Sequence, residues 1–271
     1  MILNCWICGS EANSKEHKFK SSDLKRSFGK QFSQSVILRL GDEDKKLQGP
    51  NSSLVKHEAP ICQKCNNDLT SPHDKAYDKL ISGTINNFEI NRSRQFIDTR
   101  EFYGDNWQME IRNLYKYFAK QIGSRIVDAA NSQYPISLKK FILNDIEIQS
   151  IKLRFQIKVG MEILNAYNKF ETGDGISHLF NGATIPYCSL NGSLFFHGWS
   201  SYSWLTVHWI YSEHDLQQPI KQLNNPIIPV HVQEFDFQGR NEGDDLYDWF
   251  EHYGISNDND RLNFMQSIIE E

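Results

Sequence analysis

Apolar positions change period several times along this chain, and each change marks an element. Ser35-Val-Ile-Leu-Arg-Leu40 is a compact aliphatic run that reads as a strand. Gly41 to Asn51 is polar and reads as a loop, and Ser53 to His57 reads as the return strand. Beyond residue 65 the period lengthens. Ala76, Tyr77, Leu80 and Ile81 share one face of a helix that Asp68, Thr70 or Ser71 can cap. Asp105-Asn-Trp-Gln108 has the form of a capping box, and the helix it starts should reach about Asn131. Its buried stripe is Ile111, Leu114, Tyr115, Phe118, Ile122 and Ile126. A shorter helix is expected from Leu138 to Asn144.

Period two then takes over. Residues 151–160 alternate apolar and basic, as a half-exposed strand does, with a helix continuing through Leu164 as the alternative. Asn191-Gly192 predicts a type I′ turn joining strands at Thr184–Leu190 and Ser193–Trp199. Ser203–Tyr211 is apolar or aromatic on both faces, so its sheet should be covered by helices, and Ile227–Phe237 is a further strand. Leu246, Trp249, Phe250 and Tyr253 form one face of a helix capped by Asp244 or Asp245 and stopped by Gly254. An acidic helix is expected from about Asp258 to Ile269. The fold class is α+β. A small module over residues 1–83 precedes an α+β region over 84–271, with a helical segment, an antiparallel β-meander and carboxyl-terminal helices.

Composition narrows the function classes. The chain has 271 residues, 39% of them hydrophobic and 23% charged, which suits a globular protein with a real core. No apolar run approaches the roughly 20 residues that span a bilayer, so a membrane partner is not expected. The start lacks the basic and apolar regions of a secretory signal, which makes the cytoplasm the default location. Net charge is −5, but it is unevenly spread. Residues 1–81 carry 13 Lys/Arg against 10 Asp/Glu, and residues 82–271 carry 16 against 24. Lys15, Lys18, Lys20, Lys25, Arg26 and Lys30 concentrate the positive charge, a stretch suited to phosphates or simply a solvated surface.

Four of the five cysteines form two CxxC pairs, Cys5/Cys8 and Cys62/Cys65. Two such knuckles complete a tetrahedral Cys₄ shell for zinc, whereas a redox role needs only one pair. The 53 residues between the pairs require an inserted structure. Cys188 lies in a strand-like run and reads as a core thiol. His197, His208 and His231 fall on neighbouring strands, where satisfied polar groups are a more economical reading than a second metal site. A closed Cys₄ zinc has no open position, so any catalysis must come from other groups.

Those groups stand around the knuckles. The order Cys5-x-x-Cys8, Glu16-His17, Cys62-x-x-Cys65-Asn66 resembles the Cys₄ members of the HNH, or ββα-metal, endonuclease family. The resemblance covers about 75 residues and implies a treble-clef module, a hairpin and helix held by structural zinc, that hydrolyses DNA phosphodiesters; RNA is the lesser expectation. It implies His17 as general base, with Glu16 and Asn66 holding one catalytic Mg²⁺ or Mn²⁺. His73, or Asp74 beside it, is the candidate further ligand on the following helix. Lys18, Lys20, Lys25 and Arg26 are the candidate phosphate contacts. The loop-bracing place that the family gives to Asn is taken here by His57, with Asn51 farther away. A bacterial or phage defence nuclease is the context this architecture suggests. The α+β region is left for specificity, oligomerisation or regulation through a partner. The rival reading is a noncatalytic zinc module that recognises nucleic acid or a protein.

Overall fold

Turns and short bridges, rather than long strands, organise the first eighty residues. The computed structural model describes residues 3–32, 36–40, 43–130, 135–144, 150–172, 178–188, 194–213 and 221–234. The first knuckle closes through Gly9 N–H to the Cys5 carbonyl at 2.8 Å, and Gly9 takes φ 81°, open to glycine without strain. Trp6 N–H reaches the Pro60 carbonyl at 3.0 Å, which lays the knuckle against the second cysteine pair. Residues 14–18 then run antiparallel to 55–61. Ser14 N–H bonds the Ile61 carbonyl at 3.0 Å, His57 N–H the Glu16 carbonyl at 2.8 Å, and Lys18 N–H the Val55 carbonyl at 2.7 Å.

The long excursion between these segments has a small core of its own. It contains α1 (Ser21–Phe28) and a hairpin of β1 (Val36–Leu40) and β2 (Glu43–Leu47), which bury Leu24, Phe32, Val36, Leu38 and Leu47 against Val55. β2 corrects the expected polar loop over 41–51. Glu43 and Asp44 are exposed, so only Leu47 carries an apolar signal while backbone pairing makes the strand. The return strand expected at Ser53–His57 is also corrected. Ser52 Oγ accepts from Leu54 N–H at 3.4 Å and starts a 3₁₀ turn over Ser53–Val55, leaving Lys56 and His57 to pair.

After Cys65 the chain enters a π-helical turn, Lys64–Leu69, and then α2 (Ser71–Thr84), with Pro72 in the first turn. Next come α3 (Phe88–Arg94), β3 (Phe96–Asp98), α4 (Arg100–Tyr103), α5 (Trp107–Ala130) and α6 (Ile136–Asn144). β4 (Ile151–Lys158) runs straight into α7 (Val159–Thr172), so strand and helix each claim part of the segment read both ways. The remaining strands are β5 (Leu179–Asn181), β6 (Ile185–Cys188), β7 (Leu194–Tyr202), β8 (Leu205–Tyr211) and β9 (Ile227–Gln233).

The large sheet has the order β3-β9-β4-β8-β7-β5, with β6 also on β7. It is mixed, which corrects the antiparallel meander. β8 fills one edge of β4, and β9 takes the other edge in parallel, Gln156 opposite His231. The Asn191-Gly192 turn and the carboxyl-terminal helices lie outside the described residues; the turn's flanks pair antiparallel, but Cys188 stands opposite Leu194, one residue off the Cys188–Phe195 register of a two-residue turn. Among the described residues no helix is long and apolar enough to cross a membrane.

α5 is the centre of the molecule. Its apolar stripe packs on the inner face of the sheet, where Phe118 meets Phe155 edge-on at 6.0 Å. Its other side meets α2 and the first knuckle. A Cβ on Gly123 would sit 2.3 Å from the Trp6 ring, so this approach requires glycine. One buried cluster therefore runs from Cys5, Trp6 and Ile61 through α2 and α5 to the sheet.

Candidate metal centre and the charged cluster beside it

The two knuckles bring the four cysteine Sγ atoms within 4.8 Å of one another, and none is in a disulfide. Cys8 Sγ lies 3.6 Å from Cys62 Sγ. Tetrahedral zinc, with Zn–S of about 2.3 Å, sets its sulfurs about 3.8 Å apart, so the donor set fits that ion. Cys65 N–H points at Cys62 Sγ at 3.4 Å, the amide support a thiolate needs. Burial pushes the Cys8 thiol up, but hydrogen bonds from Ser10 outweigh it and bring the group down to about 6. Burial raises Cys5 and Cys65, whose thiols are enclosed in the core.

Glu16 and His57 stand opposite each other on the bridged segments, and both side chains turn toward α5. Glu16 is buried; its Oε1 accepts from Gln121 Nε2 at 2.9 Å and its Oε2 lies 3.0 Å from Lys120 Nζ. Lys120 is only 1% exposed and also reaches Asp74 at 3.1 and 3.2 Å and Thr70 Oγ1 at 3.2 Å. Burial alone would pull Lys120 down. Glu16 and Asp74 outweigh it and hold the ammonium above its ordinary value. The chain of charges continues outward: Lys20 lies 3.3 Å from Asp74 and 3.6 Å from Asp78, and Arg26 is 3.6 Å from Asp78 and 2.5 Å from Asp23.

The remaining candidates divide. Asn66 Nδ2 donates to Ser14 Oγ at 3.0 Å and to the Lys15 carbonyl at 3.2 Å, which anchors the strand leading into Glu16-His17. His17 is partly buried and its Nε2 has no hydrogen-bond partner. Burial lowers its pKa from 6.5 against the pull of Glu16, which keeps the imidazole neutral at pH 7. His57 braces the Glu16 carbonyl through its backbone N–H, while its Nδ1 pairs with Asp128 Oδ2 at 2.6 Å. His73 is buried on α2. Among the described residues the four cysteines are the one group of three or more His, Cys, Asp or Glu side chains gathered as metal ligands. Both Glu16 oxygens already have donors, so Glu16, Asn66 and His73 do not form a ready divalent-ion site in this conformation. Of the basic candidates, Lys20 and Arg26 are spent on acidic neighbours, whereas Lys18 and Lys25 carry no ion pair among the described residues. His197 and His208 lie parallel at 6.1 Å, but with His231 they form no such ligand group.

A cavity of about 40 Å³ adjoins this cluster, lined in part by Lys20, Asp23, Tyr77, Tyr117 and Tyr202. It has room for about one water. Burial pushes Asp23 up to about 6, although Tyr77 OH donates to it at 2.8 Å and Arg26 lies beside it. The folded state thus takes up a proton between the free value of 3.8 and about 6, so this carboxyl adds stability as pH falls through that window. Asp23→Asn cannot titrate. Between about pH 4 and pH 8 its stability should therefore gain on the wild type by about 2 kcal/mol, as read from denaturation curves at the two pH values. A pH-independent gap would show that Asp23 ionises normally.

Sequence reasoning missed Lys120, Gln121, Asp128 and Asp23. Lys120 directly follows Tyr117, Phe118 and Ala119, all of them buried, the one local sign that its charge lies inside. No protein-family model, curated protein or solved structure matches this chain.

Proposed function

We propose that residues 1–83 form a zinc-stapled nuclease module of the HNH type that hydrolyses DNA phosphodiester bonds. The observation that carries this reading is the pair of hydrogen bonds from Asn66 to Ser14 and Lys15. They hold the residue that follows the second knuckle against the segment bearing Glu16 and His17, as a ββα-metal site requires. His17, held neutral by its surroundings, is suited to take the proton of an attacking water. Glu16 and Asn66 are the ligands this reading assigns to Mg²⁺ or Mn²⁺, and the α+β region would set specificity or regulate cutting. A role in defence or restriction follows only if DNA is the substrate.

A second reading has its own support. As folded, Glu16 is committed to Lys120 and Gln121, which favours a zinc module that binds nucleic acid or a protein without cutting it. Incubation of the full chain with plasmid and Mg²⁺ or Mn²⁺ separates the two. Cleavage is expected, with at least a 100-fold loss in His17→Ala at unchanged zinc content. Because burial lowers His17, the rate should persist to lower pH than an ordinary imidazole base allows. Binding without cleavage under both metals assigns the second reading.

A further inference from the structure

We propose that the outer face of the large sheet is a binding platform for a single strand of nucleic acid. The strands β4 to β9 contain no Asp or Glu, although residues 82–271 as a whole carry 24 acidic against 16 basic side chains. Their basic and imidazole side chains are Lys152, Arg154, Lys158, His197, His208 and His231. The register places all six on one face: Arg154 opposite His208, His208 opposite Trp199, His197 in the row of Lys152, and His231 opposite Gln156. The other face is the core, with Leu153, Phe155, Val207 and Trp209. Chance scatter of charge does not sort this cleanly.

The face is open along β4 and β9, whereas Ser201 and Thr206 on β7 and β8 are buried. Lys152, Arg154 and His231 are exposed, and Lys152 and Arg154 carry no ion pair among the described residues. His208 is held down to about 4, by burial first and then by Lys158, His197 and Arg154 around it. The geometry of the rows thus concentrates positive potential, which suits phosphate. Aromatic surface lies in the same field: Trp199 is half-buried, Lys158 Nζ sits 5.0 Å above its ring, and the His208 ring is 6.5 Å away. Alternate residues on a strand are about 6.6–6.8 Å apart, close to two 3.4 Å steps of a stacked nucleic-acid strand. A row of cations beside a ring of this kind is how sequence-tolerant single-strand binders hold backbone and base together.

The proposal does not depend on cleavage at Glu16-His17. Its rival occupant is the acidic segment 235–271, with ten Asp/Glu against two Lys/Arg. The test compares the full-length protein with Lys152→Glu/Arg154→Glu for binding of a labelled 20-nucleotide oligo-dT, without added divalent ion. The wild type should bind the strand at least about tenfold more tightly than the variant. The variant's log–log salt slope should be shallower by about 1.4, since each single-strand phosphate contact contributes about 0.7. Zinc content and circular dichroism should match, because both side chains are exposed. A wild type that ignores the strand, or a variant with unchanged affinity and slope, overturns the proposal. So does capture of a 235–271 peptide that the variant loses while oligo-dT binds neither protein. Failure of plasmid cleavage alone leaves these readouts unmoved and speaks only to the nuclease reading.

Discussion

Removing the zinc, by chelator or by Cys62→Ser, is expected to unfold the amino-terminal module rather than loosen one end of it. Structural zinc contributes about 10–16 kcal/mol in small modules, as much as the whole stability of an ordinary domain. Here the ligands are core residues. Cys5 and Cys65 are each 2% exposed, and Trp6, Ile7 and Ile61 are packed between the knuckles and α5. Without an ion nothing joins exposed Cys8 to the buried thiols of Cys5, Cys62 and Cys65, and the two knuckles lose their link. The purified chain should carry about one zinc per molecule. Its loss should abolish a cooperative melting transition near that of the holoprotein and raise the binding of a hydrophobic dye. A chelated protein that melts unchanged would falsify the zinc assignment.

The second large effect belongs to Lys120→Met. The methionine keeps most of the volume but leaves buried Glu16 without its cation, while Asp74 keeps Lys20. Removing one partner of a buried ion pair costs about 3–5 kcal/mol, because the remaining charge is left uncompensated. Denaturant midpoints should show that loss. Adding Glu16→Gln should return at least about 1 kcal/mol, since one stranded charge is then gone. A loss below about 1 kcal/mol would mean that water reaches the cluster and screens it. The single variant also bears on function, because it frees Glu16 from the ammonium that now occupies it.

The four-cysteine cluster was legible because its information is local: two residues between paired thiols fix a knuckle whatever lies beyond it. The half-exposed strand at Ile151–Lys158 was legible for the same reason, through strict alternation. Pairing that depends on distant partners was not. β2 has almost no apolar code, β3 is three residues long, and the parallel join of β9 to β4 is decided by which edge β8 leaves open. The site divided along the same line. Asn66 lies one residue past a knuckle and could be placed, whereas the Lys120 bond to Glu16 spans more than a hundred residues and has no periodic signature. His57 could be put beside the Glu16 segment, but its carboxylate partner stands 71 residues away on α5.

That helix has a consequence of its own. Arg125 donates to the Trp199 carbonyl at 3.0 Å, while Gln121 and Asp128, each about a turn away on the same face of α5, hold Glu16 and His57. The sheet and the bridged segments are thus fastened to successive turns along one face of a single helix. A ligand that alters the tension on β7 works against the same fasteners that hold Glu16. By reciprocity, any change at Glu16 that moves the helix must alter affinity at the sheet by an equal factor.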